Sequence, residues 1–167
     1  MVTNDKTKIQ KDLKNKQLKL TREFDADVET VWKAWTTREI LDKWWAPKPW
    51  RAETKSMDFR EGGSWLYAMV GPEGEKHWAR ADYKSIKPKQ SFEYIDAFCD
   101  ENGKITNTAP SMHWNCDFKG SGDATVVQID ISFDKEADIQ AILEMGFEQG
   151  FTDGLANLDE LLEKKLV

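Results

Sequence analysis

With 167 residues, 40% hydrophobic and 32% charged, the chain has the length and composition of one globular domain that can enclose a core without metal or disulfide staples. Its charge of −6 is uneven: residues 1–20 carry six Lys and two Asp, which leaves −10 on the other 147 residues, an acidic body that argues against a nucleic-acid groove. No apolar run approaches the roughly 18–20 residues that span a bilayer, and "MVTNDKTKIQKDLKNK" lacks the apolar stretch of a signal peptide, so a cytoplasmic protein without membrane insertion is expected.

Residues 1–16 read as a flexible basic tail and residues 17–167 as a single domain. The two cysteines, Cys99 and Cys116, make no disulfide framework and read as reduced, small core residues. In "QLKLTREF", Leu18, Leu20, Arg22 and Phe24 alternate with mostly polar neighbours, the period of a half-buried strand. The period then changes. Val28, Val31, Trp32 and Trp35 recur at helical spacing behind Asp27, which is placed to cap the first turn. Ile40, Leu41, Trp44 and Trp45 repeat the stripe until Pro47 stops it, so two short helices are predicted, with a tryptophan cluster where the second ends. That cluster reads as a core corner, with one Trp able to rim a cavity mouth.

From residue 51 to 134 the period of two returns. The turn segments "REGG", "GPEGEK", "IKPKQ", "DENGK" and "KGSGD" separate six strands at about 51–59, 63–71, 77–87, 90–100, 111–119 and 123–133, an antiparallel meander. Met112, Trp114, Cys116 and Phe118 share one face against His113, Asn115 and Asp117. Strand 63–71 is apolar on both faces, so both of its sides need cover. The C-terminal stretch is helical, with Phe147, Phe151, Leu155, Leu158 and Leu162 in one stripe. Gly146, Gly150 and Gly154 run beside it; each mid-helix Gly costs about 1 kcal/mol relative to Ala. Such a groove admits backbone, bulky rings or a ligand, and Gly146 can also mark a break before a longer final helix. The expected fold is α+β: a seven-stranded curved antiparallel sheet wrapped around a long C-terminal helix, with two short helices after the first strand.

Three segments, "LTREFDADVETVWKAWTTREILDKWWAP", "MDFREGGSW" and "MGFEQGFTDGLANLDELL", together resemble the family named for the activator of the heat-shock protein 90 ATPase, part of the START-like helix-grip superfamily. The resemblance runs in order from about residue 18 to 165. It implies the helix-grip fold, with a cavity between sheet and C-terminal helix. The eukaryotic activator carries this module behind a separate N-terminal domain that drives most of the ATPase stimulation; with about 17 residues before its first strand, this chain is expected to lack it. Stand-alone relatives include proteins thought to bind apolar ligands, and the superfamily also holds lipid carriers, hormone receptors and aromatic polyketide cyclases. Fold alone does not choose among these.

No cofactor or metal is expected, since the only histidines, His77 and His113, fall on different strands without HExxH or CxxC spacing. "DFREGGSW" lacks both the GxGxxG and the Walker pattern and reads as a structural turn, with Gly62 and Gly63 at positive φ and Asp58 paired to Arg60. No GxSxG elbow is present. The leading expectation is non-covalent binding of a small hydrophobic or aromatic molecule. Trp65, Tyr67, Trp78, Tyr94, Trp114, Phe147 and Phe151 would line its cavity, Asp96 and Tyr94 would orient a polar end, and Gly150 and Gly154 would leave room beside the helix. Asp96 shares a strand face with Phe92, Tyr94 and Phe98. The favoured reading makes it a strand-edge residue bonded to backbone or water; the other buries it among rings with a raised pKa, fit for acid–base work in a cyclase, dehydratase or hydrolase. A chaperone partner bound through the surface is the third expectation.

Overall fold

The computed structural model describes residues 7–167. Alternation of buried and half-exposed side chains runs through β2 (Gln17–Phe24), where Leu18, Leu20, Arg22 and Phe24 all turn inward as their spacing predicts. Two helices follow, α1 (Val28–Thr36) and α2 (Arg38–Trp44). Asp27 caps α1, its Oδ1 accepting the Thr30 backbone N–H at 2.9 Å, which satisfies one of the amides that the first turn leaves unpaired. The meander comprises β3 (Arg51–Met57), β4 (Ser64–Val70), β5 (Lys76–Lys87), β6 (Ser91–Phe98), β7 (Met112–Ser121) and β8 (Ala124–Ser132). Its turns hold Gly62, Gly74, Gly103 and Gly122 at positive φ. Gly63, expected to do the same, has no positive φ; a Cβ there would lie 2.1 Å from the Asp58 carbonyl oxygen, so close approach is what requires glycine. Arg60 Nε donates to Asp58 Oδ2 at 2.6 Å, the local pair expected.

The sheet has eight strands, not seven, all antiparallel, in the order β1-β2-β8-β7-β6-β5-β4-β3. The additional strand, β1 (Thr7–Asp12), comes from the segment read as tail, and pairs with β2 from Thr7 opposite Arg22 to Asp12 opposite Gln17. It escapes a hydrophobic pattern because Ile9 is its single apolar residue, and backbone pairing holds it with little burial. The Asp12 carboxylate takes both the backbone and side-chain N–H groups of Asn15 to close the hairpin. The rest of the expected tail, residues 1–6, lies outside the described residues.

Because β2 and β3 sit far apart in the sheet, α1 and α2 must carry the chain across its inner face. Register shifts at Thr54/Ser56 and at Tyr83/Ser85 add the local bends that let a sheet curl. Into this curve pack α3 (Glu136–Glu144) and α4 (Phe147–Glu163), separated at Gly146, whose φ of 84° breaks what otherwise reads as one helix. On α4 the stripe Phe151, Leu155 and Leu158 is buried against the sheet. The outer side of β4 finds its cover in the connection after β6: Arg80 Nη1 donates to Gly103 O at 2.7 Å and Lys55 Nζ to Glu101 O at 2.7 Å, holding that loop over Leu66. No helix among the described residues is long and apolar enough to cross a membrane.

Candidate functional site

A buried aromatic ladder begins the site. Phe118, Phe92, Tyr94 and Trp114 stack in turn across β7 and β6, with interplanar angles of 24°, 18° and 14°. At one end of the molecule α1 and α2 close over the sheet and the rings fill the core: Trp35 meets Trp44 at 4.9 Å and Phe118 at 5.9 Å. At the other end the filling stops. The inner face of β5 offers Ala79 and Ala81, too short to reach the helix. Beyond them a cavity of about 230 Å³ opens between sheet and α4.

Trp45, Tyr67, Ala79, Asp96, Trp114 and Phe151 form the deep wall, all buried. Pro47, His77, Pro110, Met145 and Phe147 form its outer part, where Met145 is 59% exposed. Trp45 is thus both core and wall, packed against Trp44 at 5.4 Å and Trp65 at 5.4 Å, while its indole N–H donates to Tyr67 Oη at 3.1 Å. Trp44 points away and donates to Ala34 O at 3.0 Å. The tryptophan cluster is therefore a core corner with one member in the cavity, and Trp50 lies outside that wall against His77.

Of the ten residues the sequence nominates, Tyr67, Asp96, Trp114, Phe147, Gly150 and Phe151 line the cavity. Four do not. Trp65 is held behind the wall: it stacks on Tyr67 at 4.1 Å and donates to Thr54 Oγ1, which in turn donates to Asp42. Tyr94 is sealed within the ladder between Phe92 and Trp114. Trp78 lies on the opposite face of the sheet, with the Lys55 and Lys76 ammonium groups 5.7 and 5.9 Å from its ring centre, because its neighbours His77 and Ala79 face inward. Gly154 serves packing: a Cβ there would lie 3.1 Å from the carbonyl oxygens of both Trp44 and Trp45, at the end of α2. Asn157, one turn on, donates to Ala46 O at 3.0 Å and completes that junction. Gly150, by contrast, has only Pro47 Cγ nearby, at 3.9 Å, and leaves cavity space.

Sequence reasoning expected one Trp of the cluster at the cavity without naming Trp45, and missed His77, Ala79, Met112 and Ile142. The signal for the β5 residues was available, since the run His77, Ala79, Ala81, Tyr83 alternates with Trp78, Arg80 and Asp82. Pro110 belongs to an irregular connection and carries no periodic signal.

Asp96 keeps the backbone bond expected of it, from the Ala97 N–H, but it is not at a strand edge. It is 8% exposed, opposite Ala81 on β5 and Met112 on β7. Desolvation pushes its carboxyl up to about 7, against a hydrogen bond from the Ala97 backbone N–H that favours the charged form. Tyr67 and Tyr94 are driven well above the ordinary phenol value, first by burial; the Asp96 charge adds to the effect on each. The wall is thus apolar and aromatic, with a carboxyl that changes charge near neutrality and a phenol that stays protonated.

A curled antiparallel sheet that grips a long C-terminal helix, with two short helices following an early strand, defines a START-like helix-grip protein. The profile of the "Activator of Hsp90 ATPase homolog 1-like protein" family matches residues 25–163, and the chain belongs to that family. Among solved structures, it is similar to a protein from Arthrobacter aurescens at 29% identity and a TM-score of 0.89, over 94% of this chain and 91% of that one. A protein from Mycobacterium smegmatis is 28% identical with a TM-score of 0.86, over 93% and 96% of the two chains. One from Staphylococcus epidermidis is 28% identical with a TM-score of 0.82, over 95% of each. No curated protein matches the chain.

Proposed function

We propose that the protein binds a small hydrophobic or aromatic molecule, non-covalently, between the sheet and α4. The observation that carries this reading is the cavity itself: in a core otherwise filled by stacked rings, about 230 Å³ stays open behind Ala79 and Gly150 and reaches the surface beside His77 and Met145. Such a volume lies below that of a drug-sized site, so the ligand is small. The cytoplasm suits both cysteines, which are free and buried. The test is titration with the neutral fluorophore N-phenyl-1-naphthylamine, alongside native mass spectrometry of the purified protein for a retained small molecule. One-to-one binding to wild type, lost in Gly150→Leu with an unchanged circular dichroism spectrum, is expected. Equal binding by the variant refutes the location.

A second reading, catalysis in the same cavity, draws on the position of Asp96. A carboxyl that holds its proton to about pH 7 among aromatic walls has the affinity of a general acid or base. Turnover that vanishes in Asp96→Asn while ligand binding persists would favour it.

A further inference from the structure

Three half-buried carboxylates on other elements are matched to donors of the fold. Asp159 pairs with the guanidinium of Arg22, Asp82 takes Arg80 Nη2 at 2.7 Å and Ser64 Oγ at 2.6 Å, and Asp42 takes both the backbone N–H and the hydroxyl of Thr54. Asp96 differs. It faces the cavity, has the Ala97 backbone N–H as its hydrogen bond, and pairs with no basic side chain among the described residues. A buried carboxylate without a counter-ion is costly, and the same cost becomes affinity for any cation that enters and supplies one.

The walls around it suit such a cation. Trp45, Tyr67, Trp114, Phe147 and Phe151 line the same space, and aromatic rings attract ammonium groups through their electron-rich faces, more strongly where water is excluded. The acidic protein as a whole, at −6, raises the local concentration of cations and repels anions. Neutral hydrocarbons would satisfy the rings and leave Asp96 unpaired; carboxylates would set a second negative charge against it. Resting on the cavity-binding reading, we infer that the ligand is a small arylalkylamine, an aromatic ring with its amine on an alkyl chain, bound as its ammonium form, with Asp96 as counter-ion and the five rings as its cage.

Three probes of one shape decide this at pH 8, read by quenching of tryptophan fluorescence and by calorimetry: 2-(2-naphthyl)ethylamine, 2-(2-naphthyl)ethanol and 2-naphthylacetate. The amine is expected to bind wild type at least about tenfold more tightly than the alcohol, about 1.4 kcal/mol. In Asp96→Asn that advantage should disappear while the alcohol binds as before, which also shows that the variant is folded. An alcohol or carboxylate that binds as well as the amine overturns the amine assignment and leaves the cavity reading standing. An advantage that survives in Asp96→Asn removes Asp96 as the counter-ion. If none of the three binds wild type, the cavity reading falls with it.

Discussion

Asp96→Asn should stabilise the protein, and by an amount that depends on pH. In the unfolded chain this carboxyl ionises near its ordinary 3.8; in the native protein burial holds its proton up to about 7. Between those values the native state carries one proton more than the unfolded state, so raising the pH favours unfolding. Below about 4 both states are protonated and the penalty is absent; above about 7 both are ionised and it is complete. The gap of about three pH units, at about 1.4 kcal/mol each, sets a ceiling near 4 kcal/mol. Water entering through the mouth solvates part of the charge, so a gain of about 2–4 kcal/mol for Asn over Asp at pH 8 is the working expectation. Tyr67, Tyr94 and Cys99 are the titrating groups that feel Asp96, and burial raises all three, so they stay neutral across the window. Urea unfolding of both proteins at intervals from pH 4.5 to 8.5 reads the difference directly. It should grow as pH rises and level off above 7. A difference that stays constant over that range would falsify the claim that a desolvated carboxyl is what Asp96 contributes.

Other substitutions separate packing from open space. Gly154→Ala forces a methyl to 3.1 Å from two carbonyl oxygens at the end of α2 and should cost about 1–3 kcal/mol. Gly150→Ala meets only Pro47 at 3.9 Å and should gain up to about 1 kcal/mol of helix propensity; thermal unfolding of the pair must move in opposite directions. Asp159→Ala removes the ion-pair partner of the Arg22 guanidinium, 1% exposed, and leaves it the Thr7 hydroxyl at 2.9 Å and the charge of Asp25; it should lower stability by up to about 3 kcal/mol in urea titrations, whereas Glu160→Ala, which loses an exposed pair with Lys48, should change it by less than about 1 kcal/mol.

Much of the fold was legible because its elements bury one face. The inward run Leu18, Leu20, Arg22, Phe24, the stripe Val28, Val31, Trp32, Trp35 and the turns of the meander each carry a period or a punctuation that a one-sided element must have. β1 was not legible for the converse reason: with Ile9 as its one apolar residue it buries almost nothing, and a strand held by backbone pairing leaves no periodic trace. Site residues were harder, because periodicity names a face but not how far along it the cavity lies. Trp65 and Tyr94 do face inward as nominated, yet neighbouring rings stack over them and shut them away from the open space. Trp78 failed on parity, since the wall is set by the alternate set that contains Ala79.

The open space follows from where large residues are absent, a feature that a search for aromatic liners passes over. Rows across the inner face set Trp65 opposite Ala81 and Ala81 opposite Asp96, then Tyr67 opposite Ala79 and Ala79 opposite Phe98. Each alanine leaves a gap between a ring on β4 and a side chain on β6. Gly150 leaves the matching gap on the helix, while Gly154, one turn further, is spent on the contact that fixes α4 against the end of α2. The rings of Trp45 and Trp114 cannot collapse into the gap without abandoning partners, since Trp45 is tied to Tyr67 and wedged against Trp44, and Trp114 is stacked on Tyr94. Small residues on two facing elements, with the surrounding rings anchored elsewhere, are the conditions under which a core rich in tryptophan keeps a hole, and Asp96 lies on its wall.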